Sequence, residues 1–592
     1  MSEVIKIANC SGFYGDKLSA AKSMVDGGPI DVLTGDYLAE LTMTILYNQK
    51  QQRKTGGYVG TFLKQVKEVL VDCMEKNIKI VTNAGGLNPS GMASAIKEIA
   101  AEMGVDARVA YIDGDDLLPR IDELQGEGET FTNMDTGVPL QDTENPTVTA
   151  NAYLGAWGIK EALDQGADIV VCPRVTDAAV VIGPAAWKFN WQRSDYDALA
   201  GALAAGHIIE CGAQATGGNY SFFQEVPSFH NMGYPIAEIE QDGSFTITKH
   251  PNTGGLVSVG TVKAQLLYEI SSPAYLNPDV IGHFDTLAIE QSGDDRVYVS
   301  GCRGSSPPDT HKVCINTVGG YRNGMDVILT GLDIEEKAEL FTDTLFRSVG
   351  GREQFDAVDI QLVRSDKQDP KTNEEAYATL RINVKSHNQA LVGRLFSAKM
   401  IELALANYPG FSSKGGPGGG GSFISYWPAL VDSRFITEKV YLGGKETAVA
   451  PTSQLGLEPI YYQQTPVKIP DVPRGETVKI PFGRLFGTRS GDKGGCANLG
   501  VWAKDAASYG FLHQFLTVDK FKALLADTAE FEIDRYDLPN LDALNFYIHG
   551  ILGEGVSSSV RIDGQAKTMG EYLRAKIIEV PTVLAKGIQE KA

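Results

Sequence analysis

The feature that most narrows the fold is a switch in hydrophobic period that repeats along the first third of the chain. Short apolar runs of strand length occur at residues 4–8, 30–36, 78–82, 109–112 and 167–172. Between them, residues 18–26, 61–76, 89–103 and 151–165 repeat apolar positions at helical spacing. Strands that alternate with helices predict an α/β domain built on a mainly parallel sheet with helices packed on it.

The pattern then changes. From about residue 200 to 330 glycine becomes denser and the helical period fades; 245–248 and 297–300 read as strands, and 257–270 fits either period. Residues 325–330, 334–349, 355–363, 376–384 and 390–408 read strand, helix, strand, strand, helix, the order of a split βαβ, ferredoxin-like unit. A glycine run at 415–421 interrupts it and has the composition of flexible coil. The Pro-rich stretch 464–476 reads as a linker. The tail beyond it reads as another α+β unit: a strand at 477–486, a polar glycine loop at 487–496, a strand at 497–502, a helix at 510–526, strands at 529–536, 544–551 and 558–562, and a helix at 568–577. The expected division is therefore a main α/β domain (1–325), a ferredoxin-like α+β domain (326–463), a linker (464–476) and a small α+β domain (477–592).

Charge excludes some functions. Lys and Arg number 53 against 74 Asp and Glu, a net −21. No nucleic-acid or membrane-surface partner is expected of such a chain. The seven cysteines are scattered, form no CxxC and have no zinc spacing with histidine, which fits a reducing compartment. No basic, apolar leader opens the sequence and no run of about 18 apolar residues crosses it, so a cytoplasmic location is expected. Glycine is over-represented, at 65 of 592 residues, against about 7% in average usage. Many glycines fall in pairs suited to tight turns or to close approach of backbone to a ligand.

Five segments could carry chemistry. Residues 81–91 run from a strand through Asn83, Gly85, Gly86 and Asn88 into a helix. Free N–H groups at such a helix start would hold a phosphate or carboxylate; the plainer use is Asn88 as N-cap with Pro89 at the first helical position. The spacing is neither a dinucleotide fingerprint nor a Walker A motif. Arg174 and Asp177 follow another strand, where an arginine can grip a carboxylate or carbonyl, or simply pair with the aspartate. Asp36 and Glu40 follow a third strand: Asp36 suits an N-cap, and the two could form an acid/base pair on one helix face. His207, Glu210, Cys211 and Gln214 crowd together before Gly217 and Gly218; a His–Cys nucleophile is one reading, an inert buried thiol the commoner one. Arg489, Asp492 and Lys493 lie in the tail's polar glycine segment, which suits an anion nest.

Several of these pieces, in order, resemble the acyclic terpene utilisation (AtuA) family: Gly35-Asp-Tyr-Leu-Ala-Glu40, Asn83-Ala-Gly-Gly-Leu-Asn-Pro89, Asn151-Ala-Tyr-Leu-Gly155, Gly166-Ala-Asp-Ile-Val170, Arg174-Val-Thr-Asp177, Glu210-Cys-Gly212 with Thr216-Gly-Gly218, and Gln265-Leu-Leu-Tyr-Glu269. Arg489-Ser-Gly-Asp-Lys-Gly494 and Asn545-Phe resemble the family's small C-terminal domain. Pro173 and the 415–421 run depart from the pattern. The resemblance implies catabolism of branched terpenoids through acyl-CoA intermediates, without assigning a reaction or catalytic residues.

The expectation is an enzyme acting on a branched acyl thioester as a hydratase, lyase or hydrolase. Asp36, Glu40, Asp177 and Glu210 are the candidate acid/base groups, and Asn83, Gly85, Gly86, Asn88, Arg174, Arg489, Asp492 and Lys493 the candidate substrate contacts. Arg489, Lys493 and Arg484 would lay a basic patch over the N-terminal site. No resident cofactor or metal is expected, a coenzyme A thioester would be substrate, and a homo-oligomer is the expected assembly. The alternative is a non-catalytic acyl-CoA-binding or scaffold subunit. The two differ in whether the strand-end carboxylates meet Arg174 and Asn83 in one place.

Overall fold

The structure, a computed structural model, describes residues 3–53, 55–462 and 467–586. Part of the expected linker, residues 464–466, and the extreme C-terminus lie outside these. The first α/β region is built on an eleven-stranded sheet. Five strands at its centre are parallel, in the order Val4–Asn9, Val32–Gly35, Lys79–Thr82, Ile169–Val171, Val109–Asp113. On the Val4–Asn9 side, Pro235–Glu240, Phe245–Lys249, Arg296–Ser300 and Ala288–Gly293 add antiparallel strands. On the Val109–Asp113 side, Glu438–Leu442 and Lys445–Val449 do the same. The sheet is thus mixed rather than mainly parallel. The flanking strands come in hairpins closed by short turns such as Gly443-Gly444, and a tight turn can only join antiparallel neighbours.

Alternation along the central strands explains the two cores. Ile5, Ile7, Val32, Val81 and Val170 face one way, against Trp157–Asp164, Ala179–Phe189 and Tyr196–Ile209. Ala8, Leu33, Ile80, Ile169 and Val171 face the other, against Ala20–Asp26, Gly60–Glu75 and Pro89–Glu102. The expected helix over 151–165 divides: the strand Thr147–Ala152 leaves for a second sheet, and the helix begins at Trp157. Its N-terminus is tied from afar, with Asp279 accepting from Ala156 N at 3.0 Å and Glu438 from Gly158 N at 2.6 Å.

The second sheet is organised by one 21-residue strand, Thr310–Thr330. Tyr377–Ser386 pairs with it, Ala357–Arg364 pairs with Tyr377–Ser386, and Gly421–Asp432 lines its other edge. Helix Ile334–Ser348 crosses between strands that are not neighbours, which is the split βαβ connection. The long strand runs through residue 325, and residues 438–449 return to the large sheet. The expected helix over 390–408 is broken, with a π-helical turn at Leu391–Leu395 ahead of Phe396–Glu402.

In the tail, Phe486–Lys493, Cys496–Ala503, Ala543–Ile548 and Ile533–Leu538 form an antiparallel sheet. The segment expected as a polar loop, 487–496, is a β-hairpin turned at Gly494-Gly495, and no strand forms at 558–562. Two buried asparagines lock this sheet onto the segment after helix Val259–Leu266. Asn498 donates to Leu267 O (2.6 Å) and Asn545 Oδ1 (2.9 Å) and accepts from Glu269 N (2.8 Å); Asn545 donates to Ile270 O (3.2 Å) and Ser271 O (3.1 Å). Gly500 permits the approach, since a Cβ there would sit 2.5 Å from Leu267 Cβ. Removing a buried hydrogen-bonded side chain strands its partners. Asn498→Ala is therefore expected to destabilise the protein by about 2–4 kcal/mol at these three bonds, read as a lowered unfolding temperature; an unchanged temperature would show that the lock carries no load.

Candidate functional site

The ends of the parallel strands converge on one charged cluster, where open α/β sheets collect ligands. Asp36 follows Val32–Gly35 and Asn83 follows Lys79–Thr82. Asn83 Nδ2 donates to Asp36 Oδ1 at 2.5 Å, and its Oδ1 accepts from Tyr37 N at 2.9 Å. Arg174 follows Ile169–Val171 and is buried. Its guanidinium donates to Leu38 O at 2.8 Å, pairs with Asp177 at 3.1 Å and lies 4.1 Å over the Tyr153 ring. Behind it, Asp115 accepts from Arg174 N (3.2 Å) and Asn151 Nδ2 (2.7 Å), which fixes the loop that carries the arginine.

His207 and Glu210 come from the end of helix Tyr196–Ile209, so they share a face at i, i+3 rather than lying on an extended segment. His207 Nδ1 and Glu210 Oε1 are 3.3 Å apart. Burial opposes charge on both: it pushes the imidazole down to about 4, helped by Lys493, and pushes the Glu210 carboxyl well up, helped by Asp177 and Glu269. Asp36 is likewise pushed well up, first by burial and then by Asp177 and Glu210, against the opposing pull of Asn83 and Arg174. Glu40 behaves oppositely. Burial would raise it, yet Lys312 and Arg174 together with the Tyr153 hydroxyl (3.0 Å) bring it down to about 2. The cluster therefore sets carboxyls whose ionisation burial opposes beside one whose ionisation is favoured.

The tail hairpin supplies the other wall. Alternation puts Arg489, Gly491 and Lys493 on one strand face. Arg489 lies 4.1 Å over the Tyr268 ring, Gly491 packs against the same ring, and Lys493 sits 5.4 Å over Tyr275. Lys567 bridges Glu269 (3.9 Å) and Asp492 (4.0 Å), and Asp492 is pushed up to about 7 by burial and Glu269. Glu40, Lys312 and Asp177 each keep 29% of the side chain exposed, so they form a rim over a buried floor of Asp36, Arg174, His207 and Glu210. Arg174 Nε, both ring nitrogens of His207, Glu210 Oε2, and Nε and one terminal nitrogen of Arg489 find no hydrogen-bond partner among the described residues. Buried polar atoms are normally satisfied, so this concentration marks a place prepared for a polar guest.

Several expectations need correction. The Asn83–Pro89 loop is no open anion cradle. Ala84 N, Gly86 N, Leu87 N and Asn88 N donate to Thr82 Oγ1, Asn83 O, Gly57 O and Gly85 O. Gly85 and Gly86 are needed for packing, since a Cβ at 85 would lie 2.5 Å from Cys172 O and one at 86 would strike Leu46. Asn88 is the N-cap, accepting from Gly91 N at 3.0 Å ahead of Pro89. Asp36 is not an N-cap, because helix Glu40–Gln52 starts after Ala39, so Asp36 and Glu40 share no helix face. The tail's anion nest is absent because residues 486–493 are committed to a β-ladder. Arg484 is exposed on a 3-10 turn, outside this cluster. Cys211 is pushed well above an ordinary thiol, by burial and then Glu269 and Glu210, so it carries no thiolate.

Sequence reasoning missed Lys312 and Lys567, which carry no local motif, while Tyr153 and Glu269 sat within the family-like segments. Two open grooves, of about 620 and 690 Å3, lie away from the cluster and share none of its residues. Among the described residues, no group of three or more His, Cys, Asp or Glu is placed to hold a metal ion, and no helix is long and apolar enough to cross a membrane.

An α/β sheet with carboxyl, imidazole and cationic side chains grouped at its strand ends is the frame of the site. Residues 5–442 match the acyclic terpene utilisation family protein AtuA, and residues 480–579 match the AtuA ferredoxin-like domain, so the chain belongs to the AtuA family. No curated protein and no solved structure matches it.

Burial pushes Asp115 up to about 8. A carboxyl raised on folding stabilises the native state at low pH, and that stability is lost as pH rises from about 4 through about 8. Asp115→Asn removes the titration and keeps an acceptor. The urea midpoint of the variant relative to the wild type should rise between pH 5 and pH 8. A pH-independent difference would contradict this.

Proposed function

We propose that this AtuA-family protein is a lyase or hydratase acting by proton transfer on a branched, terpenoid acyl thioester. The observation that carries the reading is the pair of buried carboxyls, Asp36 and Glu210, whose ionisation burial opposes, grouped with Arg174 and Asp177 at the strand ends. Adding water across a conjugated thioester needs an acid to protonate carbon, a base to take a proton from water and a cation to hold the developing enolate oxygen. Asp36 and Glu210 are the candidate acids, and Asp177, on the rim, is the candidate base. Arg174, with its free Nε, and Lys493 are the candidate oxyanion partners. Glu40, held ionised at about 2, is too weak a base for the proton step and serves to orient Lys312 and the Tyr153 hydroxyl. Hydrolysis through Cys211 is disfavoured by its raised thiol.

The test is a panel of branched α,β-unsaturated and 3-hydroxy acyl-CoAs, with thermal shift for binding and loss of the enoyl-thioester absorbance for turnover. Binding by at least one member is expected, with kcat reduced about 10²–10⁴-fold in Asp36→Asn and Glu210→Gln and little change in unfolding temperature. Turnover at the wild-type rate in both variants, or no binding by any thioester, would overturn the proposal.

A further inference from the structure

The groove of about 690 Å3 beside the glycine run collects positive charge in a strongly acidic chain. Arg322 and Arg381 rise from adjacent strands, Lys414 heads the glycine run and Arg561 arrives from the tail. Arg381 is 3.7 Å from Asp326 and Arg561 contacts Asp527 at 2.5 Å. Arg322 and Lys414 pair with no carboxylate among the described residues. Lys385 stands opposite Arg322 in the ladder and is driven down by burial and by Arg322, against the opposing pull of Glu554.

The glycine run is held open rather than collapsed into this groove. Gly418 O accepts from Asn323 Nδ2 (3.0 Å) and Ser397 Oγ (2.6 Å), and Lys414 N donates to Asp326 O (3.0 Å). The N–H groups of Gly415, Gly416 and Gly420 donate no hydrogen bond within the described residues. A Cβ at Gly415 or Gly416 would meet open space, so those glycines are not there to relieve packing. Unused backbone donors beside guanidinium and ammonium groups are the elements of a phosphate site. The volume suits a small molecule.

We propose that this groove binds the diphosphate or phosphate-ester group of a small organic molecule, with Arg322 and Lys414 as its principal cationic contacts. The long strand Thr310–Thr330 carries Lys312 of the strand-end cluster and Arg322 of the groove ten positions apart, a span of up to about 33 Å along an extended strand. The groove is therefore a separate site, and the inference does not rest on the acid/base reading.

Inorganic pyrophosphate, titrated calorimetrically into the full chain at low salt, tests it, with inorganic phosphate and succinate as comparison anions. Saturable one-to-one binding of pyrophosphate, tighter than succinate, is expected. Arg322→Gln and Lys414→Gln should each weaken it by about tenfold or more, the loss of a charge-assisted contact. Both residues are exposed, so the variants should keep the wild-type unfolding temperature. Asp36→Asn should bind pyrophosphate as the wild type does. Absence of binding, equal affinity for succinate, or unchanged affinity in both groove variants would overturn the proposal. So would loss of binding in Asp36→Asn, which would move the anion to the strand-end cluster.

Discussion

A guanidinium buried at the ends of parallel strands cannot stand alone, because taking a charge out of water costs several kcal/mol unless neighbours compensate it. Arg174 meets this demand with the Leu38 carbonyl, the Asp177 carboxylate and the face of Tyr153, while Asp115 and Asn151 fix the backbone that presents it. The rest of the cluster follows from that placement. The same low-dielectric setting that strengthens the Arg174 contacts drives protons onto Asp36 and Glu210 and off His207. Glu40, near Lys312 and Arg174, is instead pulled down. Burial and the neighbouring charges thus push nearby carboxyls in opposite directions.

The tail completes the cluster rather than decorating it. Asn498 and Asn545 hold its sheet against residues 267–271, and that docking brings Lys493 over Tyr275 and Lys567 between Glu269 and Asp492. Positive φ at Glu269 marks the sharp bend that lets its N–H meet Asn498. Family membership fits this unity, with one match covering residues 5–442 and a second covering 480–579.

Much of this was legible one strand at a time. Asp36, Asn83, Arg174 and Asp177 each follow an apolar run, and strand ends are where α/β proteins place side chains for ligands. Glu210 and His207 were legible as a dense polar group, though not as neighbours on a helix face. What local pattern could not supply was pairing over long range. Lys312 enters from a strand that itself reads as ordinary sheet, and Lys567 precedes a short helix with no motif around it. Glycine misled twice. In 487–496 it reads as loop but forms a hairpin turned at two glycines, whose strand glycines Gly487 and Gly491 make room for the Trp502 and Tyr268 rings. In 83–91 it reads as a ligand cradle but serves close packing against Cys172 and Leu46. The parallel share of the sheet was overestimated because hairpins at both edges look locally like any other strand.

The central claim is that Asp36 and Glu210 are protonated at neutral pH while Glu40 is not. Infrared difference spectroscopy of the carboxylic-acid C=O band, comparing the wild type with Asp36→Asn, Glu210→Gln and Glu40→Gln at pH 7, measures this directly. The account predicts that the first two variants each lose protonated-carboxyl intensity, while Glu40→Gln loses only carboxylate intensity. A wild-type spectrum at pH 7 in which neither Asp36 nor Glu210 contributes to the acid band would contradict it.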